Sequence, residues 1–140
     1  MQEIRDVIEG RAARLSVGDV PGHLAFSAPE VLLYSLAPPL GERVHHSDAT
    51  AIEQWLATFE TPPRREVTQL EITVDGDVAF ATSYDSMTAT PKGTPDEFTM
   101  WFRVTIGLRR IDGRWLVVHE HESVPFQMDG SLTAAVDLKP

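Results

Sequence analysis

Between residues 66 and 124 the chain is a succession of four β-rich runs, and this half of the sequence dictates what the whole can fold into. The runs are EVTQLEITV (66–74), DVAFATSYDSMTA (77–89), EFTMWFRVTIGLR (97–109) and RWLVVHEHESV (114–124), all dense in β-branched and aromatic residues. Asp75-Gly76, the stretch TPKGTPD and Asp112-Gly113 separate them. Asp-Gly between β-rich runs signals a tight hairpin, because glycine takes positive φ without strain. The pattern predicts four successive antiparallel strands, a meander.

The first half reads differently. Ile4, Val7, Ile8, Arg11, Ala12 and Leu15 recur at spacings of three and four, one helical stripe that closes near Gly18. DVPGHLAFS (19–27) holds a second short helix after Pro21, and Pro29 ends it. EVLLYSL (30–36) is a short strand stopped by Ala37-Pro38-Pro39-Leu40-Gly41, and His45-His46 falls in a solvated loop. Thr50 and Glu53 fit a capping box opening a third helix, with Ile52, Trp55, Leu56 and Phe59 on one face and Thr61-Pro62-Pro63 as its stop. Helices first and a meander afterwards is an α+β layout: a strongly bent antiparallel sheet, mixed at its edge, wrapped like a cone around three N-terminal helices. With no internal repeat or linker, residues 1–126 form one domain, and 127–140 are a loosely held tail.

Charge and composition narrow the function. The formal charge of -9, with basic residues scattered, opposes a nucleic-acid backbone. The absence of cysteine excludes disulfides, thiolate nucleophiles and thiolate metal sites. The N-terminus lacks a signal-peptide pattern and no run reaches the roughly 20 apolar residues of a membrane span, so a cytoplasmic protein is expected.

The element order, Pro38-Pro39 after the first strand, Trp101-Phe-Arg103-Val-Thr105, and the final strand with Trp115, His119, Glu120, His121, Glu122 and Ser123 together resemble the nuclear transport factor 2-like superfamily. Within it the chain is most similar to SnoaL-like and ketosteroid-isomerase-like bacterial proteins. A similar Trp-x-x-x-His-x-His-x-Ser strand occurs in the association domain of calcium/calmodulin-dependent kinase, an assembly module. The resemblance implies a cystatin-like cone with a cavity between helices and sheet, in a superfold that hosts isomerases, cyclases, hydrolases and pure assembly domains. The Asp base and the Tyr and protonated Asp donors of ketosteroid isomerases do not map here. The first strand offers Tyr34 and no carboxylate beyond Glu30. The Asp-Arg-Asp set of limonene epoxide hydrolases fails too, since Thr105 stands two beyond Arg103.

Strict alternation along the last strand puts Trp115, Val117, His119, His121 and Ser123 on one face and Glu120 and Glu122 on the other. Two adjacent glutamates are costly to bury unpaired, so the histidine face is expected to be the concave one. His119 and His121 are then the candidate acid/base pair. Tyr34, Trp55, Asp85, Trp101, Arg103 and Thr105 are the candidate ligand-binding residues, Arg103 as an anchor for a carboxylate. Two registers of the last hairpin stay open. Pairing Arg110 with Trp115 sends Arg103 to the outer face, and a shift by one turns Trp101, Arg103 and Thr105 inward. The His-x-His pair has no third ligand at a telling spacing, so no metal and no cofactor is expected. The expected partners are a medium-sized apolar or carboxylated ligand and a second copy docked through the sheet face. Two functions remain: an isomerase-, cyclase- or hydrolase-type enzyme without redox cofactor, or a non-catalytic dimerisation or accessory domain.

Overall fold

The protein is described by a computed structural model covering all 140 residues. Helix α1 (Gln2–Ser16) buries Ile4, Ile8, Arg11, Ala12 and Leu15, the stripe read from the sequence with a guanidinium in its midst. Gly18, at φ 74°, turns the chain into α2 (Val20–Leu24), whose first turn is capped by the Asp19 carboxylate accepting from Gly22 N at 3.0 Å. Strand β1 (Ser27–Tyr34) follows, then β2 (Glu42–His45), α3 (Thr50–Leu56), β3 (Arg64–Asp75), β4 (Val78–Ala89), β5 (Phe98–Ile111) and β6 (Arg114–Ser123). The six strands lie in the order β2-β1-β6-β5-β4-β3, all antiparallel except for the parallel pair β1–β6. The expected α+β architecture, a bent meander with a mixed edge and three helices, is what the chain adopts.

Several local expectations are corrected. His45, expected in a loop, instead ends a four-residue edge strand, residues 42–45, that pairs with β1 and is too short to announce itself. The Thr50–Glu53 capping box does not form, and the Asp48 carboxylate accepts from Thr50 N at 3.1 Å instead. Helix α3 buries none of its residues; only Phe59, just beyond it, is buried and bridges to Pro91. The tail is not loose: Ala135 is buried and its N–H donates to Pro125 O at 2.8 Å, while Gln127 N–H donates to Thr133 O at 2.7 Å.

The two hairpins form where Asp-Gly predicted. Gly76 occupies the first central position between Asp75 and Val78 at φ 58°, and Asp112-Gly113 link Ile111 to Arg114 with φ of 51° and 80°. The second turn pairs Arg110 with Trp115, the first of the two registers. Val104, Ile106, Leu108, Trp115 and Val117 therefore face inward, packing with Ile4, Ile8, Val31, Ala79, Ala81 and Phe102 in one core.

Beyond Val117 the alternation breaks. Leu108 pairs with Val117 but Gly107 pairs with His119, so Val118 is an extra, bulged residue. Because side chains alternate, one inserted residue exchanges the two faces of everything after it. Glu120 and Glu122 turn inward, and His119 and His121 turn outward. A second bulge at Gln69, with φ 51°, makes the same exchange in β3, so that Val67 before it and Leu70 and Ile72 after it all reach the core.

Deleting Val118 should restore strict alternation and drive both glutamates out of the interior. Breaking buried ion pairs costs about 3–5 kcal/mol, so urea denaturation should show a loss of that order or no folded state. Val118→Ala, which keeps the bulge, should cost roughly 1 kcal/mol.

Candidate functional site

The inward turn of β6 places Glu120, 3% exposed, among charged groups from three other elements. Arg11 reaches it from α1, Nη1 donating to Glu120 Oε2, and lies 6% exposed itself. Arg65 enters from β3: Nη2 donates to Glu120 Oε1 at 2.9 Å and Nε to Asp85 Oδ2 at 2.7 Å. Its Nη1 lies 3.6 Å from Glu122 Oε1, and its guanidinium sits 5.3 Å from the Phe102 ring centroid. Asp85, from β4 and 1% exposed, also accepts from Ser83 Oγ at 2.6 Å. His23 of α2 is buried with its Nδ1–H donating to the Arg11 carbonyl at 2.9 Å. The position of Arg65 is fixed by the helix that the sheet wraps, since its backbone N–H donates to Ser16 Oγ at 2.9 Å.

This network satisfies most of its charge internally. Arg11 Nε is its one buried nitrogen without a partner. Burial alone would raise the Glu120 pKa, but Arg11 and Arg65 hold it well below the carboxylate range. Burial would likewise lower Arg65, and the carboxylates of Glu120, Glu122 and Asp85 raise it instead. Burial and then the neighbouring Arg11 charge press His23 down to about 4, so its ring is neutral. Glu122 differs. Burial first, and the charge of Glu120 second, push it up to about 8, against the opposing charges of Arg65, whose Nη1 stands 3.6 Å away, and of Arg11. Its side chain keeps 19% exposure, more than any other carboxyl of the network. Of two adjacent carboxyls, the one gripped by two guanidiniums ionises and the other keeps the proton.

Around Glu122 the inner wall is apolar and half exposed. Arg65, Met87 and Met100 are register neighbours across β3, β4 and β5, with Val124 two residues beyond Glu122 on its face and Leu33 and Leu36 alongside. Buried charged side chains thus stand in the hollow where an open cavity was expected. Two surface grooves, of about 420 Å³ beside Gly18, Pro21, Glu53 and Leu56 and about 340 Å³ beside His46, Ile111 and Arg114, include none of the network. The titratable groups that converge mark the site better than these shallow hollows do.

The candidates read from the sequence divide between the two faces. Asp85 alone lies in the network. Tyr34, His119, His121, Trp101, Arg103 and Thr105 lie on the outer face, and the expectation that the imidazoles line the concave side is overturned by the bulge at Val118. They still meet one another. The Tyr34 ring stands edge-on to His119 at 5.0 Å and to His121 at 5.4 Å, while Thr105 pairs with His121. His119 Nδ1–H donates to Leu32 O at 2.8 Å, fixing its tautomer and tying β6 to β1. Arg103 is exposed with Nε donating to Ser123 Oγ at 3.1 Å, and Trp55 packs edge-on against Phe59 beside α3. No three His, Asp or Glu side chains converge to hold a metal ion. Arg11, His23, Arg65 and Ser83 were not among the expected site residues, and Glu120 and Glu122 were expected on the opposite face from the site. Arg11 carried a signal, a guanidinium inside an apolar helical stripe, which calls for a buried acid opposite.

Stability should respond to pH through two of these groups with opposite signs. His23, neutral when folded, contributes stability that is full above pH 6.5 and lost as pH falls toward 4. Glu122, protonated when folded, contributes stability that is full below about 4.5 and lost as pH rises through about 8. From pH 6.5 to 8 only Glu122 acts, so the unfolding free energy should fall by up to about 1.4 kcal/mol per pH unit. Glu122→Gln should flatten that slope in urea titrations.

A profile describing the SnoaL-like domain matches residues 4–127. Among solved structures, a nuclear transport factor 2-like protein of unknown function from Pseudomonas putida is 31% identical, with 99% of this chain and 95% of that chain covered at a TM-score of 0.84. A candidate scytalone dehydratase from Novosphingobium aromaticivorans is 13% identical, covering 100% and 93% at 0.79. A candidate calcium/calmodulin-dependent protein kinase II association domain from Xanthomonas campestris is 19% identical, covering 87% and 85% at 0.73. No curated protein sequence matches. With a profile spanning nearly the whole chain and the cone of helices and sheet already described, the protein belongs to the SnoaL-like family of the nuclear transport factor 2-like superfamily.

Proposed function

We propose that this SnoaL-like protein binds a medium-sized, largely apolar small molecule against the inner wall at Met87, Met100 and Val124, with Glu122 moving a proton to or from it. One observation carries the reading: Glu122 is the network's partly open carboxyl, set in apolar surroundings and pushed up to about 8 by burial and by the charge of Glu120. Isomerisation and dehydration both relocate protons, and a carboxyl raised far enough to hold a proton at neutral pH suits them. Arg65 and Asp85 act as positioning groups, fixing Glu120 so that its charge keeps Glu122 protonated. The reaction class that fits is isomerase- or lyase-like and needs no redox cofactor from this residue set. A structural relative bears the name of a dehydratase, consistent with that class.

The test is a thermal-shift screen of steroids and polyketide-like aromatics on the parent, Glu122→Gln, Met100→Ala and the outer-face pair His119→Ala and His121→Ala. Ligands that raise the parent Tm should lose most of that effect in the two inner variants and keep it in the histidine variants. The reverse pattern would move the site to the Tyr34, His119 and His121 cluster, with Arg103 and Thr105 as its ligand contacts.

A second reading, a dimerising accessory role, rests on the outer face of the sheet. Val78, Phe80 and Tyr84 of β4 are 55%, 52% and 43% exposed there, and Tyr34 of β1 38%. Alternating exposed apolar side chains on one sheet face suit a second copy of the chain. Phe80→Glu should shift a dimer to monomer in light scattering without lowering the urea midpoint.

A further inference from the structure

The inner network holds three carboxyls, Asp85, Glu120 and Glu122, and two guanidiniums, Arg11 and Arg65. Asp85 and Glu120 already have their charge neutralised inside it. Arg65 spends Nε on Asp85 and Nη2 on Glu120, and Arg11 spends Nη1 on Glu120. Arg11 Nε has no partner but is buried, and Arg65 Nη1 is turned toward Glu122, so no adjacent pair of guanidinium N–H groups is open to receive a ligand carboxylate bidentately. Glu122 is the carboxyl in excess. The nearest cationic nitrogen, Arg65 Nη1, stops at 3.6 Å, beyond hydrogen-bond distance. His23, the remaining titratable group packed on the network, is turned to the Arg11 carbonyl and stays neutral. In a chain of net charge -9, the long-range field also draws cations.

We infer that the inner site selects a ligand with a basic nitrogen, whose ammonium completes the charge balance of the network at Glu122 while its apolar body lies on Met87, Met100 and Val124. This rests on the inner-wall reading above and narrows it: the site rejects carboxylated ligands, and the carboxylate anchor expected at Arg103 is on the other face. An ammonium takes the place of the proton that Glu122 otherwise holds. Binding therefore releases a proton, and the amine and the proton compete for one oxygen pair.

Three matched probes separate the possibilities: phenethylamine, 2-phenylethanol and 3-phenylpropanoate, titrated into the full chain by NMR and by calorimetry in two buffers of different ionisation enthalpy. Phenethylamine is expected to bind at least about tenfold more tightly at pH 8 than at pH 6, a tenfold step being one pKa unit's worth of competition. It is expected to release roughly one proton at pH 7. Glu122→Gln should remove the pH dependence and the proton release while preserving weak binding of 2-phenylethanol. If 2-phenylethanol or 3-phenylpropanoate binds as tightly as the amine at the inner wall, the basic-nitrogen class is wrong and the site stands. If none of the three shifts a resonance of Met87, Met100 or Glu122, both the class and the inner site fail.

Discussion

A single guanidinium, that of Arg65, organises the interior. It is the group through which an edge strand, a central strand and the last strand are joined, since its three nitrogens face Asp85, Glu120 and Glu122. Arg11 adds the helix. An assembly like this is costly to form, because each ion leaves water, and more costly to break, because any partner left behind stays buried and unpaired. The apolar core at the other end of the sheet, around Ile4, Leu108 and Val117, supplies the burial that makes such a network tolerable. Nothing in that arrangement favours stability over an all-apolar filling. Its retention of a titratable carboxyl beside a half-exposed apolar wall makes more sense as chemistry than as scaffolding.

Much of the architecture could be read from the residues. Asp-Gly turns, β-rich runs and the helical stripe from Ile4 to Leu15 give the element order and the tight register near Asp112. What the sequence hid was parity. The run Trp115-Leu-Val-Val-His-Glu-His-Glu looks like an unbroken strand, and alternation through it assigns the histidines to the core. A bulge leaves no compositional mark when the inserted residue is a valine that fits either face. At Gln69 the mark was present, since Val67, Leu70 and Ile72 cannot share a face without an extra residue between them. The electrostatic argument failed for a related reason. It priced Glu120 and Glu122 as unpaired, although Arg11 sat in an apolar stripe and Arg65 stood opposite Met87, both awaiting acids.

The histidine cluster keeps a structural part even on the outside. His119 bonds to the Leu32 carbonyl and stacks with Tyr34, which secures the parallel junction of β1 and β6 where antiparallel ladders are not available. Two faces of one strand thus serve two ends: imidazoles hold the edge of the sheet, and carboxyls equip its hollow. That division separates the exposed aromatic surface of β4 from the carboxyls of the interior, so the two readings of function do not compete for the same atoms.

The position of β1 has a further consequence for how the chain is made. This strand emerges early from synthesis, yet one of its two neighbours is β6, whose His119 bonds to Leu32 across 87 positions of sequence. Until that last strand arrives, β1 can pair only with the four residues of β2. The N-terminal portion accordingly waits, with α1 lacking the wall it must pack on, and the sheet closes late through contacts distant in sequence. The sheet of this chain therefore cannot be completed in stepwise order from the N-terminus.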